Sequence, residues 1–135
     1  GSTKSETRST KQIKMSEAKN SKQYDLEDRT FNFAKRVREV VRLFPKSTAN
    51  FEDVKQLIRS SGSIGANYIE ANDSLSKKDF LMRIKIARKE AKESKYWLNL
   101  IDVGQDERLK QVRSELEKEA TELMLILSSI MRKSE

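Results

Sequence analysis

Basic side chains at helical spacing are the residues of this chain best suited to bind a ligand. Along residues 78–95, five of them recur at intervals of seven, three, four and three and would share one helix face: Lys78, Lys85, Arg88, Lys92 and Lys95. A row of ammonium and guanidinium groups matches the repeated phosphates of RNA or DNA. The alternative interpretation is a solvated face, neutralised in part by neighbours such as Glu90 and Glu93.

A second basic stripe falls on residues 35–46. Its members recur at intervals of three, four and four: Lys35, Arg38, Arg42 and Lys46. The first 23 residues add six Lys or Arg against two acidic residues, which supplies +4 of the formal net charge of +7. Three basic segments favour a polyanionic partner. We therefore predict that RNA or DNA is contacted by the row on residues 78–95 and by Lys35, Arg38 and Arg42.

The composition argues against catalysis. The sequence contains no cysteine and no histidine, which removes thiolate chemistry, disulfides, the commonest general base and the commonest zinc ligand. It also contains no phosphate-binding loop and no dinucleotide fingerprint, and no hydroxyl nucleophile has a histidine to activate it. We predict a protein that is not an enzyme and that uses no metal and no cofactor.

Four helices must position these basic rows. The first is predicted over residues 25–44, because acidic residues open it and Pro45 stops it. Its apolar residues recur at helical spacing and form a predicted buried stripe: Leu26, Phe33, Val37, Val40 and Phe44. The second helix is predicted to begin at Asn50 and to end near Asn72 and Asp73.

Capping signals define the third and fourth helices. Ser76 and Asp79 have the spacing of a capping box at the start of the third, Gly104 is its predicted C-cap, and Asp106 and Glu107 begin the fourth. The third helix carries a predicted inward seam: Phe80, Ile84, Ala87, Ala91, Ser94, Leu98 and Ile101. Short connections make successive helices antiparallel neighbours. The predicted fold is an all-α, up-down-up-down four-helix bundle, with residues 24–135 as its single domain.

Residues 59–71 are typical of a helix adapted to close packing. Two glycines interrupt a helical pattern there, and each costs about 1 kcal/mol relative to alanine. Close approach of a neighbouring helix would offset that cost. The residues predicted to pack in this way are Ser61, Gly62, Gly65 and Tyr68. We expect the polar residues Asn67 and Glu70 to bind each other or a basic residue of the third helix rather than a ligand.

The third helix has more apolar surface than one bundle needs. Four of its residues fall nearly opposite the inward seam: Met82, Ile86, Trp97 and Leu100. Two interpretations are open, a broad buried stripe with a few exposed apolar residues or a contact with another subunit. We favour the subunit contact, because Trp and Met are enriched at interface cores.

The N-terminal segment is too polar to fold alone, and we expect residues 1–23 to form a basic, flexible tail. That tail has two interpretations, a solubilising arm and a nucleic-acid-binding arm. Residues 1–14 have a further one as vector sequence, since residues 1–2 resemble a cleavage scar and Met15 would be a start. No apolar run approaches the roughly 20 residues of a membrane span, and we expect no membrane contact and a cytoplasmic location.

Several stretches carry a family resemblance. Their residues are 59–71 (RSSGSIGANYIEA), 78–80 (KDF), 86–94 (IARKEAKES) and 96–98 (YWL). With these motifs, residues 24–133 resemble the four-helix bundle proteins encoded in 23S rRNA intervening sequences. The same fold family includes the accessory variability determinant proteins of diversity-generating retroelements.

The resemblance implies a bacterial up-down bundle that assembles as a ring-like homopentamer with a basic surface. In the retroelement branch it implies binding to a reverse transcriptase and to nucleic acid, whereas in the ribosomal-insert branch it implies little about function. Two functional hypotheses follow. The first is a non-enzymatic oligomer that binds RNA or DNA, and the second is a protein-interaction scaffold with no nucleic-acid role of its own.

Overall fold

The computed structural model describes the backbone of residues 11–135 and the side chains of residues 26–135. The described backbone is all-α and contains no strand. Its four helices are α1 (Lys11–Val40), α2 (Thr48–Asn72), α3 (Lys77–Leu100) and α4 (Glu107–Ser134). A 3₁₀ turn over Val41–Leu43 completes α1 just before Pro45. The predicted all-α four-helix bundle is confirmed.

The helices are arranged as an antiparallel bundle. Residue numbers rise along one helix as they fall along its partner, for example where Arg29 and Arg36 of α1 bind Glu119 and Glu115 of α4. Helix α1 packs against α2 and α4, and α3 packs against the same two helices. Consequently α1 and α3 lie diagonally across the bundle.

Side-chain caps start three of the helices. Ser76 Oγ accepts a hydrogen bond from the backbone N–H of Asp79 at 3.1 Å, so the predicted start of α3 is confirmed. Asp106 likewise caps α4 by accepting from the N–H groups of Arg108 and Leu109. The cap of α2 is Ser47, which accepts from the N–H of Asn50 at 3.1 Å. The helix begins at Thr48, two residues before the predicted start at Asn50.

Asn50 has a different role, because it ties the α1–α2 loop to the α3–α4 loop. Its side chain is buried, and its Nδ2 donates to the carbonyls of Pro45 at 2.9 Å and of Asp102 at 2.8 Å. Its Oδ1 accepts from the N–H of Asp102 at 3.0 Å. All the polar atoms of the amide group are thus used in holding one end of the bundle together.

Two other helix ends differ from their predictions. The backbone of α1 is helical from Lys11 rather than from about residue 25, since no proline or glycine interrupts residues 11–24. The rest of the predicted tail, the backbone of residues 1–10 and the side chains of residues 1–23, lies outside the described part of the chain. Gly104 is not the C-cap of α3, which ends four residues earlier because Ile101 and Val103 turn into the core. Gly104 instead occupies a loop turn with φ of 72°.

The core is formed by the predicted apolar stripes. All five predicted residues of α1 are buried, and so is the seam of α3 except for Phe80, which is partly buried. Thr30 of α1 is also buried, although its polar side chain kept it out of the predicted stripe.

None of the helices within residues 11–135 is both long and apolar enough to cross a lipid bilayer.

Candidate nucleic-acid interface

The predicted basic residues of α3 lie on its outer face. Lys78, Lys85, Lys92 and Lys95 are exposed, and Arg88 is half-buried. Sequence reasoning missed one member, Lys89, although its spacing of four residues from Lys85 and three from Lys92 places it on the same face. We call the complete set the α3 basic row: Lys78, Lys85, Arg88, Lys89, Lys92 and Lys95.

The two glutamates of α3 do not neutralise this row. Glu90 is only 7% exposed and lies 3.2 Å from Nη1 of Arg59 on α2, while Glu93 lies 2.7 Å from Nη2 of the same arginine. Within residues 26–135, no member of the α3 basic row forms an ion pair. Because Glu90 and Glu93 bind Arg59 on α2, the outer face of α3 keeps its positive charge beyond the first turn, where the third acid, Asp79, lies.

The basic stripe of α1 is exposed, but part of it serves the fold. Arg38 donates from Nη1 to the carbonyl of Ala34 at 3.0 Å and from Nη2 to the carbonyl of Ile58 on α2 at 3.3 Å. Lys46 donates to the carbonyl of Arg42 at 3.2 Å. Arg38 therefore links two helices, although sequence reasoning placed it in the nucleic-acid surface.

The structure does not bring the two basic surfaces together. The stripe at Lys35, Arg38 and Arg42 lies on α1 and the 3₁₀ turn that follows it. Helix α1 is diagonally opposite α3 and makes its contacts with α2 and α4. One copy of the bundle therefore presents two separate basic surfaces on opposite sides. The α3 basic row is the one whose cations are not used in contacts between helices.

The glycines of α2 face α1. A Cβ atom on Gly65 would lie 2.7 Å from Oγ1 and 3.1 Å from Cβ of Thr30, whose side chain is 1% exposed. A Cβ on Gly62 would meet only the guanidinium of Arg38, at 3.2 Å. The other two residues predicted to pack closely, Ser61 and Tyr68, are buried, and burial raises the pKa of the Tyr68 phenol.

The two polar residues of the same stretch, Asn67 and Glu70, differ in their contacts. Asn67 accepts a hydrogen bond from Nη1 of Arg83 on α3 at 3.0 Å and donates to the carbonyl of Ser63 at 2.9 Å. This confirms the prediction that a basic residue of the third helix satisfies Asn67. Glu70 is exposed and, within residues 26–135, its carboxylate binds neither Asn67 nor a basic residue of α3, so the same prediction is wrong for Glu70.

The second apolar face of α3 is divided between core and surface. Met82 and Leu100 are 50% and 51% exposed, whereas Ile86 is partly buried. Trp97 packs against the core of its own chain and makes an edge-to-face contact with Tyr96, with ring centroids 5.0 Å apart. Met82 and Leu100 are thus the members with the most surface left for another subunit.

No group of three or more acidic side chains within the described residues is arranged to hold a metal ion. The chemistry that the outer face of α3 can perform is binding of anions by ammonium and guanidinium groups. Such groups donate hydrogen bonds and supply positive charge, and neither function transfers a proton or an electron.

Comparisons with known proteins agree with this architecture. Residues 22–129 match the family described as 23S rRNA-intervening sequence protein. A crystal structure of a protein of unknown function from the S23 ribosomal protein family of Bacteroides thetaiotaomicron is 31% identical in sequence, with a TM-score of 0.67. The match covers 78% of this chain and 97% of that one. Among curated proteins, none matches the chain at a significant level. Because the family match spans most of the chain and the bundle agrees with a solved relative, the chain belongs to the 23S rRNA intervening-sequence protein family.

Proposed function

We propose that this chain is a non-enzymatic bundle that binds nucleic acid and acts as a homo-oligomer in the bacterial cytoplasm. The observation that carries the proposal is the unpaired α3 basic row. From Lys85 to Lys95 its cations recur at intervals of three or four residues along the outer face, while Glu90 and Glu93 of the same helix are held by Arg59 on α2. Cations that are not neutralised by their own protein are available to replace the counterions of a phosphate backbone.

Oligomerisation would strengthen this binding. Each copy adds one α3 basic row, and rows held in a fixed array bind a long polyanion with a high effective concentration. The half-exposed side chain of Met82, near the start of the same helix, supplies an apolar contact that leaves the later turns of the row open. A ring-like pentamer is the assembly that the family resemblance implies.

A salt titration with matched charge variants tests the proposal. The first variant neutralises the row with Lys85→Gln, Arg88→Gln and Lys92→Gln. We expect its affinity for RNA or DNA to fall, and the slope of log K against log salt to become shallower by roughly 2 to 3, since each lost phosphate contact removes about 0.7–0.9. Fluorescence anisotropy with labelled oligonucleotides across a salt series measures both quantities.

The control variant makes the same change in net charge away from α3. It carries Lys55→Gln, Lys110→Gln and Lys133→Gln; Lys55 and Lys110 lie beside glutamates of their own helices. We expect the control to keep the wild-type slope. Equal slopes in the two variants would show that the α3 basic row does not carry the binding. Absence of binding at low salt would remove the nucleic-acid function altogether.

A protein-interaction scaffold is the second candidate function. The exposed apolar side chains favour it, because Phe31 and Ile69 flank a groove between α1 and α2 with a volume of about 360 Å³. A reverse transcriptase is the partner suggested by the resemblance to retroelement proteins. A purified reverse transcriptase that bound the α3 triple variant as tightly as wild type, after nuclease treatment, would support the scaffold over the nucleic-acid function.

A further inference from the structure

An exposed aromatic side chain continues the α3 basic row. Tyr96 is 59% exposed and follows Lys85, Lys89 and Lys92 by eleven, seven and four residues, which places all four on one line of the helix. The line from Lys85 to Tyr96 is about 16 Å long at 1.5 Å per residue, which spans several successive phosphates. An aromatic ring beside a row of cations is the combination with which proteins bind single-stranded nucleic acid.

The Tyr96 ring is held by its neighbour. Trp97 packs against the core, and its ring meets that of Tyr96 edge to face, with an interplanar angle of 78°. Such a contact restricts the tyrosine side chain before any ligand arrives. Little rotamer freedom is then lost on binding, which favours the complex.

A shallow cavity of about 320 Å³ adjoins the ring, between α3 and α4. Its lining residues are Lys92, Lys95, Tyr96, Asn99 and Glu117. The Asn99 amide has both a donor and an acceptor for a base edge, and the two ammonium groups suit phosphate. The Glu117 carboxylate repels phosphate and accepts hydrogen bonds, which suits the exocyclic amino group of a base. A second cavity of about 340 Å³ shares Lys95 and Glu117 and extends to Lys118 on α4.

We propose that Tyr96 stacks on an unpaired base of single-stranded nucleic acid whose phosphates follow the lysines of the α3 basic row. The inference rests on the proposed function and specifies its ligand. Stacking requires a base with an open face, and the bases inside a duplex are covered by their neighbours on both sides. The site therefore selects single strands by the tyrosine, while its lysines attract any nucleic acid.

Tyrosine substitutions in the full-length chain test the site. The probes are a labelled DNA oligonucleotide of about 15 nucleotides, the RNA of the same sequence and the matching DNA duplex. Tyr96→Ala should weaken binding of both single strands roughly 5- to 150-fold, with the duplex affinity unchanged. Tyr96→Phe keeps the ring and should bind as wild type. Phe51→Ala removes an exposed aromatic ring from α2 and serves as the control, with no change for any probe.

Trp97 gives an independent readout in the unaltered protein. It is the only tryptophan in the sequence, and its ring lies 5.0 Å from that of Tyr96. A base stacked on Tyr96 should quench the fluorescence of Trp97. The single strands should therefore lower the tryptophan emission, and the duplex should leave it unchanged.

The outcomes separate this site from the wider function. Salt-dependent binding that is equal for single strands and duplex, and unaffected by Tyr96→Ala, would overturn the stacking site and leave nucleic-acid binding in place. A complete lack of binding to all three probes would overturn both. Weakened binding of both single strands by Tyr96→Ala, with the duplex affinity and the Phe51→Ala control unchanged, would support the site.

Discussion

Alanine substitutions at Gly65 and Gly62 should have opposite effects on stability, although the two residues are one helical turn apart. Both substitutions gain about 1 kcal/mol of helix propensity. At Gly65 the new Cβ would lie 2.7 Å from Oγ1 of buried Thr30, well inside the optimal separation of roughly 3.5–4.0 Å. Thr30 is β-branched and hydrogen-bonded to the carbonyl of Glu27 at 3.0 Å, so it has little room to yield.

The magnitude follows from these two contributions. Overpacking of this kind costs about 1–3 kcal/mol, so Gly65→Ala should be destabilising by up to about 2 kcal/mol after the propensity gain. At Gly62 the Cβ would meet only the flexible, exposed guanidinium of Arg38, and Gly62→Ala should stabilise by up to about 1 kcal/mol. Since the propensity gain is common to both, the difference between the two variants reports the clash with Thr30.

Urea unfolding followed by circular dichroism, at one fixed protein concentration, measures the difference. Adding Thr30→Ala to Gly65→Ala removes the clashing oxygen and should recover part of the loss in a double-mutant cycle. The larger Gly65→Leu should disrupt both the bundle and its assembly. If Gly65→Ala and Gly62→Ala have equal free energies of unfolding within about 0.5 kcal/mol, the close approach of α1 and α2 at Thr30 is not what requires glycine.

Three further predictions concern the loops, the α1–α4 contact and the outer face of α3. Asn50→Ala removes three hydrogen bonds, two of them to Asp102 in the α3–α4 loop, and should lower the free energy of unfolding by about 2–4 kcal/mol; a loss under about 1 kcal/mol in urea unfolding would contradict this role. The hydrogen bond from Arg36 holds the pKa of Glu115 below its ordinary value of 4.5. The contact therefore stabilises the fold fully above pH 4.5, and its contribution is lost as the pH falls through the lowered pKa. The stability difference between wild type and Glu115→Gln should therefore disappear in acid, and a difference that persists at low pH would contradict the assignment. Met82→Glu should reduce the oligomer mass measured by light scattering, whereas Leu75→Glu, at a fully exposed position, should not; equal masses for both would remove Met82 from the interface.

The helical core was predictable because its signal is local. A side chain that recurs every three or four residues faces inward whatever the partner helix is, so apolar type and spacing were enough to identify the stripes of α1 and α3. Thr30 is a buried residue that apolar type and spacing do not identify. It lies four residues after Leu26 and is buried in the same stripe, but its polar hydroxyl group gives no sequence signal of burial. Its importance comes from Gly65, which is 35 positions away in the sequence.

Helix ends and polar contacts were less predictable because they depend on tertiary partners. Ser47 and Asn50 are both good capping residues. The sequence alone does not show that the side chain of Asn50 is hydrogen-bonded to the backbone of Asp102 and that Ser47 is therefore the cap. Gly104 is a good capping residue as well, but the burial of Ile101 and Val103 ends α3 before it is reached. In each case a contact between distant residues decided among local signals of similar strength.

The same dependence on tertiary partners explains why net charge overstates the surface available to a ligand. The arginines that contact another helix or loop hold the bundle together: Arg29, Arg36, Arg38, Arg59, Arg83 and Arg113. Lysines, by contrast, form no ion pair between helices within residues 26–135. The planar guanidinium can bind two oxygens at once, whereas the strongly hydrated ammonium favours the surface. A basic row made mostly of lysine is therefore a better indication of an external ligand than the total charge of +7.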